Sequence, residues 1–321
     1  MSVLGIDQKL RRSFNKLKSY GGTDKEPDQN ENTDSSIFLQ TFLHHWDSCH
    51  QTFINFESDS TQVQDDVINV SAQLEQMIEL LKHESGTCST NSILDYILSE
   101  NVLGELSAWT KSLPSSLVGS LINLQIDLYE ILIMDKERGI SLLSHQTILR
   151  PLISILELCE ALGIDEIEAK LLNLIYDLST LLIESPELIE LFLSSSSTSK
   201  RLILFSLLTP NLHKTGLSGQ RAREAVLIYI SMSCKHKIVE NLIAQSNFCL
   251  ILATGLSALF SALPSSLDVD HPSWHKLDMS DCQMIPELDS MMTSFELCSA
   301  VVEVNRIRRW VFISLQLMDA P

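Results

Sequence analysis

Proline and glycine are scarce in this chain, 9 and 11 among 321 residues, and aromatic residues make up only 6%. Turn-rich all-β architectures draw on glycine, proline and aromatics, so that class is excluded. Positive charge is also short, with 23 Lys and Arg against 41 Asp and Glu and a formal net charge of -18. Phosphate backbones are held by cations, which excludes nucleic acid as a general partner. Seven cysteines are scattered without a CxxC pair. An odd number, several on apolar helical faces, points to buried thiols in a reducing, cytoplasmic compartment and not to a disulfide framework. The first 18 residues carry Lys9, Arg11, Arg12, Lys16 and Lys18 but lack the apolar run of a secretory signal.

Catalytic signatures are missing as well. No GxxxxGK[ST], GxGxxG, GxSxG or HExxH occurs. Gly216-Leu217-Ser218-Gly219 lacks the second spacing of a nucleophile turn and reads as a turn between helices. His45 and Cys49, within the cluster His44 to His50, lie four apart on one helical face, but two ligands do not complete a zinc site. The plainer reading is a helix with polar histidines outward and Trp46 inward. Asp268, Asp270, His271, His275 and Asp281 are rich in ligand types yet fall in a proline-containing loop, where such residues are solvated or capping. Glu157 and Glu160 form a carboxylate pair with no accompanying base. No catalytic residue, metal or cofactor is therefore expected.

What remains is abundant: 45% of residues are hydrophobic, dominated by Leu and Ile, and they recur at helical spacing. Residues 9–18 carry Leu10, Phe14 and Leu17 on one side of a short basic segment. Gly21 to Ser36 is polar and charged, too poor in apolar residues to offset its ordering entropy, and reads as a disordered linker. Helices follow from Ile37 to Phe56 (Phe38, Phe42, Trp46 and Phe53), Val67 to Lys82 and Ile93 to Trp109, and after Pro114 along Leu117, Leu121, Leu124, Leu128 and Leu132 until Gly139 breaks the run. Pro151 marks the first turn of a helix ending at Gly163. Asp165 and Glu168 open the next, and Ser185-Pro186-Glu187 a short one.

Ser194 to Ser199 is a serine loop. Apolar Arg201 to Leu208, Arg221 to Met232, Ile238 to Ala244 and a helix from Pro286 with Leu288, Met292, Phe295, Cys298 and Val302 inward complete the series. About ten successive helices joined by short turns predict an all-α fold, an α-solenoid of armadillo or HEAT type with irregular repeats. The division is residues 1–36 as a disordered N-terminal segment, 37–304 as the solenoid and 305–321 as a divergent tail.

Two stretches stand out. Between Pro151 and Ser199 nine acidic residues face Lys170 alone, whereas Lys200 to Lys237 holds seven cations against Glu224 alone. Arg201, Lys214, Arg221, Arg223, Lys235 and Lys237 are thus candidates to dock an acidic partner or anionic headgroups, or to attract neighbouring acidic layers within the fold. Asn241 to Leu267 contains no charged residue and raises the alternative of an integral membrane protein. Its apolar centre, Phe248 to Leu263, spans about 24 Å as a helix at 1.5 Å per residue, short of a bilayer's roughly 30 Å. It is expected to be a buried spine covered on both flanks, with Gly255, Ala253, Ala258 and Ala262 as small faces for close helix packing.

The runs Leu204 to Pro210, Gly219-Gln-Arg-Ala-Arg-Glu-Ala225 and Ser231-Met-Ser233, with His213 and Gly216 between them, resemble the FHIP family, the FTS- and Hook-interacting proteins. So do Leu252-Ala-Thr-Gly-Leu-Ser257, Trp274-His275, Ser294 to Val302, and upstream His45-Trp46, Ile93 to Asn101, Leu128-Tyr-Glu130 and Pro186 to Phe192. This resemblance covers about Phe42 to Val304, and the residues beyond Val304 depart from the family pattern. It implies a non-enzymatic helical scaffold that joins Hook motor adaptors and FTS, reaches early endosomes through a Rab GTPase, and serves dynein transport. Membrane association would be peripheral and indirect. It implies that the chain is an N-terminal portion of such a protein, and it transfers no catalytic or contact residue. A generic helical-repeat interaction module is the other soluble alternative.

Overall fold

The computed structural model describes residues 31–56, 62–87, 92–163, 165–196, 199–263 and 285–304. The basic segment 9–18, most of the linker, the His271 and His275 loop and the tail 305–321 lie outside them. The helices are α1 (Glu31–Ile54), α2 (Val63–Thr87), α3 (Ser92–Ser99), α4 (Val102–Ser112), α5 (Val118–Ile133), α6 (Lys136–Leu143), α7 (Gln146–Leu162) and α8 (Glu168–Glu184). After a 3-10 segment (Pro186–Phe192) and two short strands come α9 (Ile203–Leu208), α10 (Gly216–Ser233), α11 (Lys237–Gln245), α12 (Phe248–Ser261) and α13 (Pro286–Val304).

These helices form two rows. One runs α1, α2, α5, α8, α10, α13, each packed on the next, and the other runs α4, α7, α9. The chain steps repeatedly from row to row as it advances, which is the topology of an α-solenoid: every unit buries its apolar face only against its neighbours. α5 packs on α8, and Leu121, Ile122, Leu128 and Leu132 of the one and Leu174, Ile175 and Leu178 of the other are all buried. Fully burying one such side chain is worth about 1.5–3 kcal/mol. Several polar groups in this core are paired across helices, although the buried Trp109 Nε1 has no hydrogen-bond partner among the described residues. Tyr129 Oη donates to the Ile148 carbonyl between rows at 3.1 Å, Gln125 Nε2 to Thr110 Oγ1 at 2.8 Å, and Ser179 Oγ to Tyr229 Oη at 3.1 Å.

Several elements differ from expectation. α1 starts at Glu31, six residues inside the stretch assigned to a linker, because lengthening a nucleated helix fixes only one residue per added bond. The helix expected from Ile93 to Trp109 is two, divided where Asn101 takes a left-handed φ of 52°, a conformation Asn tolerates. α3 is capped from outside: the buried Glu84 carboxylate, on α2, accepts from Ser92 Oγ at 2.7 Å and from the Ile93 N–H at 3.0 and 3.1 Å. Gly139 breaks nothing. It is buried inside α6, and the break falls at Asp135, whose side chain caps the Arg138 N–H. Pro151 is the sixth residue of α7, one turn deeper than expected, whereas Gly163 closes that helix in the left-handed conformation as its position predicts. The serine loop is an antiparallel hairpin, Leu193–Ser196 with Ser199–Leu202, whose pairing supplies the backbone partners that serine side chains would otherwise seek. The fold remains all-α.

The largest correction concerns Phe248 to Leu263. It is no buried spine: in α12 only Phe248 and Leu252 are buried, and Leu250 and Phe260 are 62% and 64% exposed. α12 packs on α13 and on the Thr209–Asn211 turn, so one flank is uncovered among the described residues. α13 likewise buries Ser294 and Leu297, while the expected inward residues Phe295 and Val302 are exposed. The mistaken face follows from reading apolarity alone where, among the described residues, no third helix supplies a second contact. No single helix among the described residues is long and apolar enough to cross a membrane; α11 and α12 pass together by composition but are bent by 53°.

Candidate interaction surfaces

The six basic candidates do not form one patch. Arg201, in the hairpin, makes a two-pronged pair with Glu160 of α7, both contacts at 2.7 Å. Lys214 pairs with Glu168 at the start of α8. Arg221 pairs with Glu224 at 3.1 Å and lies over the Tyr176 ring, 4.6 Å from its centre. Arg223 donates from Nη1 to the Leu212 and Lys214 carbonyls at 3.1 and 3.0 Å, and so fastens the turn that precedes α10; burial pulls its guanidinium pKa down, against Glu224 and Asp289. Four of the six thus direct their charge or donors into the fold. Lys235 and Lys237 are exposed at the α10–α11 turn.

A second surface escapes the reading by charge runs. On the seam between α5 and α8 a groove of about 680 Å³ is bounded by Asp127, Glu130, Ile131 and Met134 on one helix and Asn173, Tyr176, Asp177 and Thr180 on the other. Each set follows the spacing that puts four side chains on one helical face. Burial, then the charges of Asp127 and Asp177, push the Glu130 carboxyl up, with Lys170 pulling it down. Burial likewise pushes Asp177 up against the pull of Arg221. Glu130 and Asp127, three apart as the only acids of the mainly apolar α5, were the signal available in sequence.

The histidine cluster is dispersed. Cys49 faces the core, where burial pushes its thiol up to about 12. His45 Nδ1 meets Gln73 Oε1 at 2.6 Å, and His50 Nε2 lies 3.4 Å from Glu105. Among the described residues no three His, Cys, Asp or Glu side chains come together as a metal site. Gly216 to Gly219 form the first turn of α10, with a φ of 76° at Gly216. Between the rows at the far end, His213 joins three elements: Nε2 donates to the Ile251 carbonyl of α12 at 3.2 Å, and Nδ1 accepts from Ser294 Oγ of α13 at 3.1 Å. Its ring fills the space beside Gly255, where a Cβ would collide with it.

Residues 93–317 match the RAI16-like family, described as retinoic acid induced 16-like protein. The chain is 31% identical over 342 residues to FHIP family protein GK23746 of Drosophila willistoni, covering 97% of this chain and 30% of that relative. It is 34% identical over 244 residues to FHF complex subunit HOOK-interacting protein 1A of Homo sapiens, covering 75% of this chain and 23% of that protein. The mouse protein of the same name gives the same identity over the same length. The chain therefore spans less than a third of the length of these relatives, and the matched stretch runs past Val304.

Proposed function

This chain belongs to the RAI16-like family, to which the FHIP proteins correspond, and on that premise we propose that it is a non-enzymatic scaffold subunit that binds a Hook-type motor adaptor. The observation that carries this reading is the 34% identity, over three quarters of this chain, to a human protein named for its interaction with HOOK within the FHF complex. A two-row helical array suits the role, because each added unit extends a rigid surface without needing a closed core. We extend the proposal to FTS as a second partner and to an endosomal Rab GTPase as the link to early endosomes, so that dynein carries the vesicle. The chain would then be cytoplasmic and peripheral on the membrane. Co-expression with Hook and FTS homologues followed by affinity purification tests the assembly. Stoichiometric recovery of either partner is expected; recovery of neither overturns the reading. Release of the chain from membranes by alkaline carbonate supports peripheral attachment, and retention in the pellet would favour the membrane-anchored alternative.

A further inference from the structure

The groove between α5 and α8 has the shape and charge of a seat for a third helix. Its walls are two helical ridges one neighbouring step apart in the same row, Asp127, Glu130, Ile131 and Met134 against Tyr176 and Asp177 among others. A trough between adjacent parallel ridges is the surface into which a helix packs lengthwise. Its apolar part includes Ile131 on the floor and Met134, 73% exposed, at the rim.

The charges around it are unevenly satisfied. Lys82 pairs with Glu79 at 2.8 Å, Lys136 with Glu184 at 2.6 Å, Lys170 with Asp127 at 2.7 Å and Arg221 with Glu224 at 3.1 Å. Every cation bordering the groove already has a carboxylate of its own. Glu130 and Asp177, on opposite walls, have no ion pair among the described residues, and each is partly withdrawn from water with its carboxyl pushed up. Lys170 and Arg221 act on them without closing an ion pair to either, and carboxylates partly withdrawn from water on facing walls attract a positive side chain more strongly than scattered surface acids do.

We propose that this groove receives an amphipathic helix of a protein partner, which inserts a lysine or arginine between Glu130 and Asp177 and lays its apolar side on Ile131 and Met134. The inference goes beyond the assignment to a Hook complex and holds whichever partner supplies the helix. Lys235 and Lys237, exposed at the α10–α11 turn, do not line this groove.

The probe is an 18-residue amide-capped helical peptide carrying two lysines one turn apart beside a leucine stripe, its binding to the whole chain followed by fluorescence anisotropy at physiological ionic strength. Replacing both carboxylates by their amides, Glu130→Gln with Asp177→Asn, should weaken binding by about tenfold or more, as loss of a partly desolvated partner implies. A control chain with Glu75→Gln and Glu157→Gln removes the same charge from exposed helix surfaces and should bind within about twofold of the parent, since screened distant charges contribute little. Both double variants are isosteric, and circular dichroism melting verifies that they fold. Failure of the parent chain to bind the peptide, or equal weakening in the two variants, overturns the proposal.

Discussion

Replacing Gly255 by alanine tests the joint that holds the last two helices to the array. In an ordinary helix interior this change is favourable by about 1 kcal/mol, since alanine restricts the unfolded chain and suits the helix. Here the new methyl would meet the His213 imidazole, which is held on both nitrogens by Ile251 and Ser294. Relief requires the ring to leave, losing two hydrogen bonds worth about 0.5–1.5 kcal/mol each, or α12 to shift outward with strain of about 1–3 kcal/mol. Set against the ordinary gain, the net expectation is a loss of up to about 2 kcal/mol in urea unfolding. In a His213→Ala background the obstacle is gone, and Gly255→Ala should regain its ordinary favourable sign, so a double-mutant cycle should show a coupling of about 1–3 kcal/mol. If Gly255→Ala stabilises the chain equally in both backgrounds, the imidazole does not lie over Gly255 and the account of this joint is wrong.

Other outcomes follow from single groups. Tyr229→Phe removes the fully buried bond with Ser179 and should cost about 0.5–1.5 kcal/mol by thermal unfolding; an unchanged midpoint would deny that bond. Glu84→Ala strips the start of α3 of its acceptors and should cost about 1–3 kcal/mol. The thiols of Cys49 and Cys159, both pushed up to about 12 by burial, should resist iodoacetamide in the native chain at neutral pH while exposed Cys234 reacts, as peptide mass spectrometry would read. Glu130 has a raised folded-state pKa, so its stability contribution is fully present below the unfolded value and is lost as pH rises through the folded one. Glu130→Gln should therefore raise the melting temperature at neutral pH, with the gain shrinking under acid; a gain that grows as pH falls would contradict this sign.

The helical class and the solenoid order were legible because each helix must bury a stripe at a spacing only a helix aligns. Leu121, Leu128 and Leu132, or Leu171, Leu174, Leu178 and Leu181, announce their inward face without any tertiary knowledge. Boundaries failed for two reasons. Nothing near Ser92 says that Glu84, on the preceding helix, will cap it, whereas the break before Gly139 had a local signal in Asp135, a capping residue four positions away that outweighs the glycine. The reading of Phe248 to Leu263 failed for a related reason: apolarity measures what a helix tolerates around it, not how many neighbours arrive, and among the described residues one flank of α12 is uncovered. The candidate surface was partly legible. The cations from Arg201 to Arg223 were visible as a run, but a run records neither Glu160 nor Glu168 waiting across a row. The α5–α8 groove required two helices far apart in sequence to be set side by side.

The proposed binding of Hook by this helical array is tested by light scattering on a mixture of the purified chain and a purified Hook homologue resolved by size exclusion. One peak whose mass is the sum of both components in fixed ratio is the predicted result. Two peaks at the separate masses, at concentrations well above micromolar and with the chain folded by circular dichroism, would contradict it.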